Sequence, residues 1–567
     1  MSFRQWTVFA QDPSITKPGG KPLLARVRAP AEHLAPGPRG HRVQVIDYDA
    51  PAGVFLPPRR DRVADDLYDR GGLTTAQLVG DPHFHQQNVY AVVMATLGEF
   101  ERALGRPVDW AFESNSQQLK IAPHGIAEPN AFYSRADEAL VFGYAPSLAN
   151  SQEMVYSCLS HDVIAHETTH AILDGLRPEY MRPSSPDQAA LHEGFADIVA
   201  ILSVFRHQDL VQHLLDPAAK RRTVPLRELA IPKLKQLALV SLAEQMGEQI
   251  WPGRGQALRN SAQIPPSKAI LDQPAFQHPH RRGEVLVASV LHAFLHVWHK
   301  RIVSMQDVDR SVPGSPCNTA RVAEEGAKTA GHLLQAAIRA LDYSPPIDIT
   351  FSDYLSALLT ADRELVPDDR PYGYRDILRK TFGQFGIAPA KTGAPGGYWK
   401  QHSQTTDHDL THFLQIQREP SEVFKFIWQN ARALEVDPDA FTAVHTVKPL
   451  VRIGPDGITL RETVATYVQF LDVIAYQLGD YGIGKPHDMP GNTSVRLQGG
   501  ATLIFDEFGQ LKYDIGTSVR SKLQTKRIAS LWEHGYYDQE RRRAARPFAT
   551  VHRDRARGAV DIAKEVW

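Results

Sequence analysis

Cysteine is nearly absent: Cys158 and Cys317 are the only two in 567 residues. That excludes a disulfide framework and any cysteine-built zinc module, so the expectation is that a transition metal would sit on histidine and carboxylate. No run of about 18 uncharged apolar residues is present, and the first residues lack an apolar segment with a small-residue cleavage site. The expectation is a cytoplasmic protein with no membrane partner. Nor does either sign of charge dominate, since 63 Lys and Arg face 64 Asp and Glu. Near neutrality argues against a nucleic-acid binder, which needs a concentrated basic field. Hydrophobic content of 43% and charged content of 22% are those of a globular chain. At roughly 150 residues per domain the length predicts two to four domains. What is abundant is histidine, with 24 residues.

Residues 1–45, rich in proline, glycine and basic side chains, read as an irregular arm. A strand is expected near His41–Asp49. From Asp81 a helix is predicted, because Val89, Val93, Leu97, Phe100 and Leu104 recur at steps of three and four and Gly105 follows as a stop. Short strand-like pieces, VDWAFE, QLKIAP and ALVFGY, complete a β-rich segment over 46–152. Residues 153–390 read as mostly helical, and a Gly/Pro/Thr stretch at 388–397 reads as a boundary. Residues 400–535, with GPDG and DEFG turns between alternating runs, predict a small α+β module, followed by a basic tail over 536–567.

The chemistry concentrates in His166-Glu167-Thr168-Thr169-His170. On a helix, histidines four apart share one face, so both rings reach one zinc while Glu167 is angled toward the open coordination position. By composition alone an HExxH arises by chance in about one such chain in twenty, so more is required. Downstream, Leu191-His192-Glu193-Gly194-Phe195-Ala196-Asp197 places two acids four apart in an otherwise apolar run. Glu193 is expected to be the third zinc ligand and Asp197 to accept the outer N–H of a ligating histidine, which fixes its tautomer. An isolated ExxxD is more often a solvated pair, but the apolar surroundings argue against that here.

HExxH followed some twenty residues later by ExxxD resembles the thermolysin-like gluzincin metallopeptidases, and the resemblance covers residues 75–390. It implies an α+β fold of two lobes, β-rich then mainly helical, carrying one catalytic Zn2+ and acting on a peptide or protein. Asn130-Ala131-Phe132-Tyr133 looks like the family's edge strand, which implies substrate contacts from the Asn130 side chain and the Ala131 carbonyl. His280-Arg281-Arg282-Gly283 resembles the segment with the family's second active-site histidine, and Tyr180 sits about where the family keeps a transition-state tyrosine. By that resemblance Glu167 is the general base and His280 and Tyr180 are donors to the oxyanion. The acid clusters of calcium-binding members do not stand out, and no calcium requirement is expected. A cytoplasmic protease further implies narrow substrate choice or restrained activity.

Two other readings stand beside the peptidase. One is a binding or scaffold protein that kept the fold and not efficient catalysis, against which Glu167 speaks. The other is a zinc hydrolase of non-peptide substrates, against which the Asn130–Tyr133 segment speaks. His292, His296 and His299 read as a row flanking the apolar stripe of their helix. His83-Phe84-His85 reads as a turn or helix start. Gly253-Arg254-Gly255 reads as a loop, and the arginine tail as solvated or docked. Oligomeric state is left open.

Overall fold

A computed structural model describes residues 2–537 apart from 61–63, 70, 113, 115–116, 129, 148–149, 151, 183, 242–260, 309–314 and 454–458. The Gly253–Gly255 loop, the GPDG turn and the arginine tail lie outside the described residues. The chain is α+β.

The irregular arm is in fact a β-hairpin. Strand β1 (Phe3–Phe9) pairs antiparallel with β2 (Leu24–Pro30), from Phe3 opposite Pro30 to Phe9 opposite Leu24. Proline and glycine crowd the connection between them, which is what made the whole stretch look irregular. In β2 the period of two is plain: Ala25, Val27 and Ala29 point inward while Arg26 and Arg28 are exposed. The hairpin packs on helix α1 (Pro82–Leu104), with Trp6 against Tyr90 at 6.0 Å and Phe9 against Phe84 at 5.3 Å between ring centroids. Helix α1 begins at an Asp81 cap and ends at Gly105, whose φ of 74° is the left-handed stop.

Beside α1 lies a mixed sheet. Strands β3 (Val43–Val45), β4 (Leu119–Ile126), β6 (Ala139–Pro146) and β7 (Met154–Tyr156) run in the order β7-β6-β4-β3, and the short β5 (Ala131–Ser134) pairs antiparallel with β6. VDWAFE forms no strand among its described residues. The Trp110 N–H bonds the Gln117 side chain and its indole bonds the Arg42 carbonyl instead. The helical part also begins later than expected. Met154–Tyr156 joins the sheet and a 3-10 turn spans Ser157–Leu159 before helix α2 (His161–Leu176) starts.

Helices α2, α3 (Pro186–Phe205), α4 (Pro279–Val308), α5 (Thr319–Ala340) and α6 (Phe351–Leu365) share one apolar core with α1. Helix α3 is the one described helix long and apolar enough to cross a membrane, and 83% of that window is buried inside the fold.

The carboxy-terminal region is a four-stranded antiparallel meander of β8 (Phe441–Ile453), β9 (Thr459–Ile474), β10 (Ser494–Phe505) and β11 (Leu511–Thr517). It is not a tethered appendage. Leu450, Val464, Ile504, Tyr513 and Ile515 belong to the same core as the helices. Two buried ion pairs cross the junction, Arg452 with Asp342 and Lys512 with Glu364 at 2.6 Å; Arg106 grips Asp342 from the other side at 2.6 and 2.7 Å, and Glu462 of β9 pairs with both Arg452 and Lys512. Burial alone would push the Asp342 carboxyl up, but the Arg106 and Arg452 guanidiniums hold it below the usual range. Just past the Gly/Pro/Thr stretch, Trp399 donates its N–H to Thr360 and its indole to the Tyr343 carbonyl. The carboxy-terminal region also has two apolar clusters of its own, one around Phe426 and Phe505 and one around Leu478 and Ile528.

Candidate metal centre

Helix α2 mixes apolar and polar side chains yet is buried along nearly its whole length, and its hydroxyls bond back to the helix. Thr168 donates to the Ile164 carbonyl at 2.6 Å and Thr169 to that of Ala165 at 2.7 Å. The amino-terminal hairpin anchors its start, the His161 N–H bonding the Gln11 carbonyl at 2.7 Å. Helix α3 begins on a Ser185 cap with Pro186 in the first turn.

The two helices pack so that three donors converge. Nε2 of His166 and Nε2 of His170 are 2.8 Å apart, and the Glu193 carboxylate oxygens lie 3.9 Å from the first and 3.8 Å from the second. An ion with ligands at about 2.0–2.2 Å in a tetrahedral array has edges of about 3.3–3.6 Å. The observed sides bracket that value, so the donor set and its size fit a zinc-class ion. All three residues are buried. His166 Nδ1 donates to Asp197 Oδ1 at 2.7 Å, which leaves the Nε2 lone pair for the metal. Glu167 is fully buried on the same helix.

His280 comes within 3.5 Å of Glu193, Nε2 to Oε2, from the first turn of α4. Two glycines permit that approach. A Cβ on Gly194 would lie 2.8 Å from the Gly283 carbonyl oxygen, and one on Gly283 would lie 2.8 Å from that of Ala190. The helices therefore cross backbone to backbone beside the donor cluster.

Tyr180 goes elsewhere. It lies in the connection between α2 and α3 and its hydroxyl donates to the Pro345 carbonyl at 2.6 Å inside the core. The long proline-rich connection, bound through Gln188 to Glu179 and Arg182, turns the ring away, so the expected role of oxyanion donor does not apply to it. The Asn130 side chain is also committed: its Oδ1 accepts the Ala131 N–H at 2.8 Å, capping the strand that it was expected to leave for substrate. Strand β5 has one strand partner among the described residues, and Ala131 is buried with the other three residues of the strand.

Two contributions escaped the sequence reading. His192 stacks on His170 with centroids 4.7 Å apart and planes 11° apart, fixing that ring; its place directly before Glu193 was the available signal. Asp174, one turn beyond His170, accepts from Tyr133 at 2.9 Å and from Arg135, tying β5 to helix α2. No short-range pattern announces that link. Burial lowers His292, His296 and His299 below the ordinary imidazole value, His292 to about 4 with Lys235 adding to the shift, and among the described residues they join no metal-capable group.

No protein-family model matches this chain, and no curated protein is significantly similar to it.

Proposed function

We propose that the chain is a zinc-dependent peptide hydrolase, a two-lobed gluzincin of the thermolysin-like kind. The observation that carries the reading is the convergence of His166, His170 and Glu193 from two packed helices, with Asp197 on the outer nitrogen of His166. His166, His170 and Glu193 would hold the zinc, which when bound would supply Lewis acidity, lowering the pKa of a water toward ~7 and polarising a carbonyl. Glu167 receives the proton of the attacking water and delivers it to the leaving amine. His280, beside Glu193, donates a hydrogen bond where negative charge develops. Asp197 and His192 hold the two imidazoles in their tautomer and orientation. The substrate chain meets β5 at the Ala131 carbonyl, the Asn130 Oδ1 being taken by the Ala131 N–H, and the burial of that strand restricts which chains reach it. That restriction accounts for how such an activity is kept selective.

A protein that only stores or displays a metal has no use for a buried carboxylate next to the first histidine, which favours hydrolysis over the scaffold reading. The test pairs elemental analysis for zinc with cleavage of an unbiased peptide library by wild type and Glu167→Gln. Both should carry zinc, and the variant should be slower by about 10²–10⁴-fold. Identical cleavage by the two removes the enzyme and leaves a zinc-binding protein. A wild type without zinc removes the centre.

A further inference from the structure

A second group of donors meets in the amino-terminal lobe, built from three separate elements. His85 lies in the first turn of α1, His124 in β4, and Cys158 in the 3-10 turn ahead of α2. All three are buried, and one ring nitrogen of each histidine and the Cys158 sulfur lie within 4.8 Å of one another.

The outer nitrogens decide what the inner ones can be. His85 Nε2 lies 2.9 Å from the Val79 carbonyl, an acceptor only, so that nitrogen carries its proton. His124 Nδ1 lies 2.7 Å from Asp47 Oδ1, and Asp47 also accepts from Gln86 at 2.8 Å, so that nitrogen carries its proton as well. In neutral rings the two remaining nitrogens, His85 Nδ1 and His124 Nε2, are both lone pairs. They face each other at 2.9 Å. Two lone pairs facing each other at that distance in a buried site repel unless a cation lies between them.

We infer that His85, His124 and Cys158 form a second metal site, for a zinc ion bound by two imidazoles and a thiolate. A proton on His124 would satisfy the two nitrogens but has no need of a sulfur; a metal ion does. Imidazole with thiolate is a donor set of zinc chemistry, and imidazoles fixed by a carboxylate and a backbone carbonyl are the usual support of such ligands. The spacing repeats that of His166 and His170, whose nitrogens stand 2.8 Å apart with the outer nitrogen of His166 on Asp197. Tyr156 packs edge-on against His85 and His124 at 4.7 and 5.6 Å, enclosing the group. Burial pushes the Cys158 thiol up, so it ionises only with a cation at hand. The ion ties α1 and β4 to the turn that leads into α2, three residues before that helix begins, and so fixes the lobe against the helix of the first centre.

This inference does not rest on the peptidase reading, and the experiment separates them. The full chain is stripped with a chelator, reloaded with Zn2+ alone and assayed by elemental analysis, then reloaded with Co2+ for absorption spectra. The expected zinc content is two per chain in wild type and in Cys317→Ser, and one in Cys158→Ser, in His124→Asn and in His166→Ala. The cobalt form of His166→Ala should keep a thiolate-to-cobalt charge-transfer band in the near ultraviolet that Cys158→Ser lacks, and zinc should still raise its melting temperature. The band in His166→Ala decides the matter even if Cys158→Ser does not fold. One zinc in wild type that His166→Ala abolishes, with no such band, overturns the second site and leaves the first. Zinc that Cys158→Ser loses and His166→Ala fully retains supports the second site and overturns the peptidase.

Discussion

The two buried histidine pairs are assembled in opposite ways. His166 and His170 stand one turn apart on a single helix, so their approach follows from helix geometry alone. His85 and His124 are separated by 39 residues and come to 2.9 Å because α1 packs on the sheet that holds β4. Each pair has a histidine whose outer nitrogen is anchored on an aspartate, Asp197 in one and Asp47 in the other. The helical pair keeps its spacing while neighbouring elements shift. The assembled pair depends on the packing of α1 on that sheet, since its two histidines share no element.

Substitutions can break this contrast, beginning with the largest effect. His166→Ala should reduce peptide cleavage to background while leaving the cobalt spectrum of the amino-terminal group intact; loss of both would remove the second site. Asp197→Asn should weaken zinc at the first centre by about 10–100-fold, read by chelator competition, because the histidine loses the partner that fixes its tautomer. If affinity is unchanged, the Asp197 contact is packing alone. Gly283→Ala should destabilise the chain by about 1–3 kcal/mol in urea unfolding, since its Cβ would sit 2.8 Å from the Ala190 carbonyl oxygen and force α3 and α4 apart. Because that shift moves His280 and also the helix that carries Glu193, cleavage should fall and zinc at the first centre should bind more weakly, while the amino-terminal group keeps its zinc.

The smallest effect lies in the carboxy-terminal sheet, away from both pairs. Burial, then the Glu435 charge, raises the Asp514 carboxyl from its ordinary 3.8 to about 7. Between those values the folded chain binds more protons than the unfolded one, so this group stabilises fully below the lower value and the contribution fades as pH rises through the upper. Asp514→Asn should flatten that part of the stability profile, measured by melting temperature against pH, with both zinc counts unchanged.

Legibility follows the same division. The span of α1, its Asp81 cap and its Gly105 stop are local signals, and the structure has the helix at Pro82–Leu104. The donors His166, His170 and Glu193 are legible because each helix displays its own period. The hairpin of β1 and β2 was missed because loop residues masked two short alternating runs. Tyr180 was misjudged because sequence position says nothing about which way a proline-rich connection turns. Cys158 was set aside on a count of cysteines, although one thiol beside two anchored imidazoles makes a different donor set from a cysteine-rich module.

The sequence by itself determined the helices and the facing donors of the first centre, because a helical period fixes which side chains share a face within a few residues. Only the tertiary structure decided that Gly194 and Gly283 bring His280 to Glu193, that Asp174 ties β5 to α2, and that His85, His124 and Cys158 meet. Those meetings depend on how elements distant in sequence pack, and packing is set by the shape of the whole core, which no short stretch of residues encodes.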